Sequence, residues 1–265
     1  VRSLALVLLA ACGGGLQNAA IVALRPACAD GEFWTGTACK RGGDAPQKLA
    51  AGMQALAAQD LDAAKTDLDA VAKGGPLDHA TNVTWWEQRG IAAAYVDDEA
   101  GAKRAFDMML ALDPGHFLSY TLSPKATFVF EQVRRAQTTP PALDVNWTRG
   151  GKVGEPVPLD IEVLADPKRF LDHATVFVHA RGEPAWRAAD VRLDAADEHL
   201  VLPPVAAKKP ISLELYLRAY DAGGNEVLTW ADAKRPREIA LRYEPPTPWY
   251  RKWWVWAIAG SAVAI

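Results

Sequence analysis

Cys12, Cys28, Cys39, five histidines and a few clustered carboxylates are the side chains in this 265-residue sequence best suited to covalent, metal or acid–base chemistry. The cysteines form no C-x-x-C pair, and no Cys/His set has the spacing of zinc ligands. The histidines stand at 79, 116, 173, 179 and 199. His173 and His179 share strand parity, but extended chain would hold them about 20 Å apart, too far for one ligand set. Asp221, Asn225 and Glu226 carry oxygens suited to calcium, yet Gly223-Gly224 between them reads better as a hairpin turn. Asp97-Asp98-Glu99 matches the acidic start of a helix, favoured by the helix dipole, rather than a catalytic pair. No G-x-S-x-G, phosphate-loop or G-x-G-x-x-G segment occurs. These residues nominate no catalytic group, no metal site and no cofactor, so the expected protein is not an enzyme. A hydrolase would need a pocket with a perturbed acid or base that the sequence does not locate.

The remaining cysteine chemistry concerns export. Cys28 and Cys39 close a glycine-punctuated loop, which an exported compartment would oxidise. A bridge of this loop size stabilises by roughly 3 kcal/mol in the chain-entropy picture. The alternative is two unpaired thiols in a leader. Arg2 is followed by mostly apolar Ser3 to Ala11, too short to span a bilayer and fitting a signal-peptide core. Leu9-Ala10-Ala11-Cys12, then three glycines, resembles a bacterial lipobox, which implies that Cys12 becomes the lipidated first residue and Gly13 to Gly15 a tether. The alternative is an ordinary signal peptide cut after Ala29. That cut would discard Cys28 and strand Cys39, whereas cleavage before Cys12 leaves one pair and one lipidated thiol. Val1 at the head of such a segment fits a non-ATG start or a trimmed end.

The elements that must position any site come from a repeat. Gly52, Ala64, Leu68 and Pro76 recur as Gly90, Ala102, Phe106 and Pro114, each displaced by 38 residues. The spacing resembles the tetratricopeptide repeat, W-x2-L-G-x2-Y, then A-x3-F, then P. The second copy keeps Trp86, Gly90, Ala102, Phe106 and Pro114, with Arg89 and Ala93 in place of Leu and Tyr. The first keeps Gly52, Ala64 and Pro76, with Leu68 for the Phe. Small residues let two antiparallel helices approach, a large one fills the gap, and Pro stops the second helix. Gly52 and Gly90 are therefore expected at equivalent crossings, packed against Ala64 and Ala102. Helices are expected over 48–59, 61–73, from a cap at Asn82 or Thr84 to about Val96, over 99–112, and from Ser123-Pro124 to about Gln137. The last is a candidate capping helix with Phe128, Val133 and Phe130 facing inward.

Beyond the linker 138–141 the apolar period becomes two: Val157/Leu159/Ile161/Val163, Val176/Val178, Val191/Leu193, Leu213/Leu215/Leu217 and Ile239/Leu241/Tyr243. Turn signals between them argue for seven or eight strands in an antiparallel β-sandwich over 142–243. The run from Leu217 to Glu226 resembles the late hairpin of immunoglobulin-like or fibronectin-like domains. A Pro-rich linker, 244–248, leads to Trp249-Tyr250-Arg251-Lys252-Trp253-Trp254, a composition suited to a membrane interface. The apolar run from Trp253 to Ile265 is about 20 Å long as helix, against about 30 Å of hydrocarbon. It is expected either as a truncated transmembrane helix or as a tail that only enters the bilayer.

The expected fold class is multidomain α plus β: all-α tetratricopeptide-like helical hairpins followed by an antiparallel β-sandwich, with a C-terminal membrane segment. The expected units are a signal peptide (1–12), a leader with the cysteine loop (13–44), the helical unit (45–137), the sandwich (142–243) and the membrane segment (249–265). Net charge is −3, so no basic field argues for nucleic acid. The tetratricopeptide resemblance implies a concave surface for partner segments, here Met53, Leu56, Glu87, Ile91 and Tyr95; the same residues read alternatively as core. The functional expectation is a non-catalytic scaffold or adaptor of a bacterial envelope, its body in the periplasm, bound to other envelope proteins and to a membrane. The alternative is an envelope glycan-binding module using Trp147, Trp186 or Trp230. Buried tryptophans would favour the adaptor, and an exposed coplanar row the glycan.

Overall fold

The computed structural model describes residues 20–29, 31–119, 121–136, 138–245 and 251. Five helices follow the leader. α1 (Ala45–Ala57) buries Ala45, Leu49, Gly52 and Leu56, one stripe at helical spacing. α2 (Leu61–Val71) buries Ala64, Leu68 and Val71. α3 (His79–Tyr95), α4 (Glu99–Leu112) and α5 (Pro124–Arg135) follow. The caps of α2 to α5 are short oxygen side chains that accept from an otherwise orphaned N–H: Asp60 from Ala63, Asp78 from Thr81, Asp98 from Gly101 and Ser123 from Lys125. Asp78, rather than Asn82 or Thr84, therefore caps α3.

The 38-residue displacement is written into the backbone. Gln59 and Asp97, 38 apart, both take φ near +60° in the turn between paired helices. The following Asp60 and Asp98 donate their N–H to Ala55 and Ala93, each at 2.9 Å. At the crossings, a Cβ on Gly52 would lie 2.8 Å from Leu68, and one on Gly90 would lie 2.4 Å from Phe106. The close partner is thus the large residue one turn beyond Ala64 and Ala102, because it is the long side chain that reaches across. α5 buries Phe130 at 2% exposure but leaves Phe128 65% exposed, correcting its expected inward face. Ala126, Val129, Phe130 and Val133 already fill the stripe that meets α3 and α4.

Two larger antiparallel sheets face each other. One runs β1 (Arg25–Pro26), β7 (Arg187–Arg192), β6 (His173–Ala180), β9 (Ile211–Tyr220), β10 (Glu226–Trp230), with β11 (Arg237–Leu241) also on β9. The other is β4 (Ala142–Trp147), β5 (Val157–Ala165), β8 (Asp197–Leu202). Alternate residues meet between them in one sandwich core: Leu159 and Ile161 from β5, Val176 and Val178 from β6, Leu213, Leu215 and Leu217 from β9. A third sheet is the hairpin β2 (Glu32–Trp34) and β3 (Cys39–Arg41).

Two features bind these parts together. The leader crosses the sandwich edge: the Val22 N–H donates to Val201 of one sheet, while Arg25 and Pro26 pair with Ala188 and Arg187 of the other. That covers backbone groups that an open edge would expose. The helices dock through the β9–β10 turn, where Glu226 N–H donates to the Leu77 carbonyl and Leu77 N–H to Asn225 Oδ1. Asn82, 2% exposed, donates to the Glu226 carbonyl. The register of β10 shifts between Glu226 and Leu228, and Val227 at that bulge joins the core of α3, α4 and α5, together with Phe170.

The expected fold class is corrected by this arrangement. The described residues hold five helices and three antiparallel sheets, and none of their helices is long and apolar enough to cross a membrane. Among the described residues, helices, leader and sheets share cores and hydrogen bonds. Periodicity reads one element at a time and carries no information on such sharing. Residues 249–265, proposed as the membrane segment, lie outside the described residues apart from Arg251, as does the signal segment with Cys12.

Candidate functional site

Strand alternation gives the six-stranded sheet a second face, turned away from the sandwich core. There β6 presents His173, Thr175, Phe177 and His179, and these register with Tyr220, Arg218, Tyr216 and Glu214 of β9. Three of the four rungs are side-chain contacts. His173 stacks on Tyr220 at 5.1 Å and Phe177 on Tyr216 at 4.6 Å, nearly coplanar at 6°. His179 Nε2 lies 2.7 Å from Glu214, and its ring stacks on Trp186. Arg218 sits over both Phe177 and Tyr216 and 3.8 Å from Glu226. From β7, Asp190 accepts from Thr175 at 2.7 Å and from Arg25 at 3.0 and 2.6 Å.

The disulfide Cys28–Cys39 closes the β2–β3 hairpin, which stands over this face. Arg25 links the two, since its guanidinium lies 4.5 Å from the Trp34 ring while holding Asp190. Between hairpin, sheet, Pro76–Asp78 and the β9–β10 turn lies a cleft of about 900 Å³. Glu226, 7% exposed, accepts from Thr229 at 2.6 Å. Burial pushes the neighbouring Tyr220 phenol up to about 12, and the Glu226 carboxylate adds to the effect. Tyr220 therefore keeps its proton throughout the physiological range and can donate it in a hydrogen bond.

A second cavity, about 400 Å³, lies among α2, α3 and α4. Leu68, Trp86, Ala93 and Met108 give it apolar walls, and Lys65, Arg89, Arg104 and Asp69 stand at its lining. Arg89 is held by Asp69 at 2.8 Å and lies over the Trp85 and Trp86 rings. Val96 beside it is 40% exposed.

The five residues named for a partner groove do not share one surface. Leu56 and Ile91 are buried, in different core clusters, and Tyr95 is half-buried between those clusters. Met53 is 40% exposed. Glu87 lies 3.3 Å from His116 Nε2, an ion-pair distance whose geometry falls short of a hydrogen bond. The first helix of each pair spends its apolar stripe on the core. Cys12 lies outside the described residues.

Other sequence candidates resolve locally. Asp221 accepts from both the backbone and side-chain nitrogens of Asn225, so that turn is closed on itself. Asp97 pairs with Lys125, Asp98 caps α4 and Glu99 pairs with Lys103. Among the described residues, no group of three His, Cys, Asp or Glu side chains is placed to hold a metal. Trp147 and Trp230 meet edge to face at 85° and are half-buried, with the Trp230 indole N–H donating to Asp144. They form no coplanar row. The cleft itself was missed because its residues come from four separated stretches. Its signal is the polar parity of β6 and β9, where aromatic and charged residues alternate with the apolar positions.

No protein-family model matches the chain, and no curated protein matches it. Among solved structures, one described as a myokine structure is similar over 38% of this chain and 93% of its own, at 10% identity and a TM-score of 0.27. A cohesin module from a Clostridium perfringens family 33 glycoside hydrolase is similar over 39% of this chain and 98% of its own, at 12% identity and a TM-score of 0.26. Likeness at this level carries no functional argument.

Proposed function

We propose that the chain is a non-catalytic adaptor of the bacterial periplasm that binds segments of other envelope proteins on its helical layer. The cavity among α2, α3 and α4 carries this reading. Its apolar walls, with the exposed Val96 beside them and cations and carboxylates in its lining, suit an apolar side chain on a polar segment. The disulfide supports an oxidising compartment. The leader supports cleavage before Cys12, with lipid attachment there. A cut after Ala29 would remove β1, the Arg25–Asp190 pair and half of the disulfide.

A photo-reactive residue at Val96 or at Met108, expressed in the exporting host, should trap a defined partner band that the same residue at Leu164, exposed on the sandwich, does not. Equal trapping at all three positions, or none at Val96 and Met108, refutes the reading. Mass measurement of the mature N-terminus tests lipidation: a diacylated chain beginning at Cys12 is expected, and an N-terminus beyond residue 20 excludes it.

A further inference from the structure

The cleft beneath the disulfide hairpin is lined for a ligand different in kind from a protein segment. Its floor is the broad face of a sheet, where β6 is already paired with β9 on one side and β7 on the other. It therefore offers no row of backbone groups to an extended peptide. Phe177 and Tyr216 on the floor are not open anchors either, because they stack on each other, are buried, and lie under the Arg218 guanidinium. What remains is a set of planar polar groups held in fixed positions. Asp190 is fixed by Arg25 and Thr175, Arg218 by the ring pair, and the Tyr220 ring by His173.

The charge balance narrows the ligand further. Five basic and five acidic side chains line the cleft, so neither a polyanion nor a polycation is drawn in by its field. A neutral ligand that both donates and accepts hydrogen bonds at many points fits that lining. Sugar hydroxyls do both, and can engage a carboxylate and a guanidinium fork together. The half-buried Trp34 indole lines the hairpin wall with Arg25 over one face of its ring, which leaves the opposite face as the apolar surface for the C–H face of a pyranose. About 900 Å³ lies within the range of small-ligand sites.

We propose that this cleft binds a neutral oligosaccharide, held by Trp34 on the hairpin and by Arg218, Tyr220 and Asp190 on the sheet. The site is distinct from the helical cavity and does not rest on the adaptor reading. The test uses the whole, disulfide-intact chain and three soluble probes at millimolar concentration: a chito-, a cello- and a malto-oligosaccharide. At least one should shift the Trp34 indole signal and the Arg218 and Tyr220 amide signals in a nitrogen–proton spectrum. Trp34→Ala should then weaken binding by about tenfold or more, equivalent to about 1.4 kcal/mol. Tyr220→Phe removes only a hydroxyl and should weaken it severalfold with the fold intact, which covers the case in which Trp34→Ala disturbs the hairpin. No shift with any of the three sugars overturns the proposal. So does sugar binding that neither variant alters, or a mixed-sequence peptide pool that shifts the same signals when the sugars do not. None of these outcomes bears on trapping at Val96 and Met108.

Discussion

Gly90→Ala tests the helix crossing most directly, because it adds one methyl at the tighter of the two crossings. An ideal Cβ there lies 2.4, 2.6 and 2.8 Å from Cε1, Cδ1 and Cζ of Phe106. Carbon pairs rest at about 3.5–4.0 Å, so the ring must retreat by about 1 Å. It has nowhere to go: Phe106 is fully buried and meets Phe130 edge to face at 5.7 Å. Overpacking of this kind costs about 1–3 kcal/mol, against a helix-propensity gain of up to about 1 kcal/mol for Gly→Ala. With the ring boxed in, the net expectation is a loss of about 1–2 kcal/mol, or roughly half a molar in the urea midpoint at unchanged slope. Gly52→Ala should lose less, since its Cβ would lie 2.8 Å from Leu68 rather than 2.4 Å from Phe106, a smaller overlap. Phe106→Leu in the Gly90→Ala background should recover part of the loss, with a coupling energy above about 0.5 kcal/mol in the double-mutant cycle. If Gly90→Ala instead stabilises by the full propensity gain with no coupling to Phe106, the crossing is not as described.

The alkaline limb of stability should depend on Tyr220. Its phenol is raised from 10.0 to about 12, so the fold favours the protonated form; that contribution is present below pH 10 and is lost as pH rises toward 12. Urea midpoints between those values should fall more steeply for the natural chain than for Tyr220→Phe, and identical slopes count against the burial of that ring. Asn82→Ala removes the donor to the Glu226 carbonyl at a buried helix–sheet junction; it should cost about 1–3 kcal/mol in chemical denaturation, and a change near zero would mean the junction is solvated. Intact mass after alkylation, with and without reductant, should show Cys28 and Cys39 protected in protein from its native compartment. Replacing both by Ser should cost about 3 kcal/mol of hairpin stability, read from loss of the Trp34–Arg25 contact in spectra.

The sequence by itself determined what depends on neighbours along the chain. Spacing of Gly52, Leu68, Gly90 and Phe106 pointed to two close helix crossings, and the identical turns at Gln59 and Asp97 follow from the same 38-residue displacement. Period-two alternation marked the inward residues of β5, β6 and β9, because a strand turns every second side chain to one face. Two cysteines in a short glycine-punctuated loop pointed to their own bridge. Tertiary structure alone decided the rest, since it turns on contacts between residues far apart in sequence. Leu56 and Ile91 became core rather than groove once both pairs and α5 closed on each other, and Phe128 was left outside because the inward stripe of α5 was already full. The leader became a sheet-edge strand, and a one-residue bulge at Val227 tied the sandwich to the helices. The cleft exists only where segments around 25–43, 76–78, 172–192 and 216–226 converge. A local pattern can say which face of a strand is polar, but not which other segment will come to stand over that face.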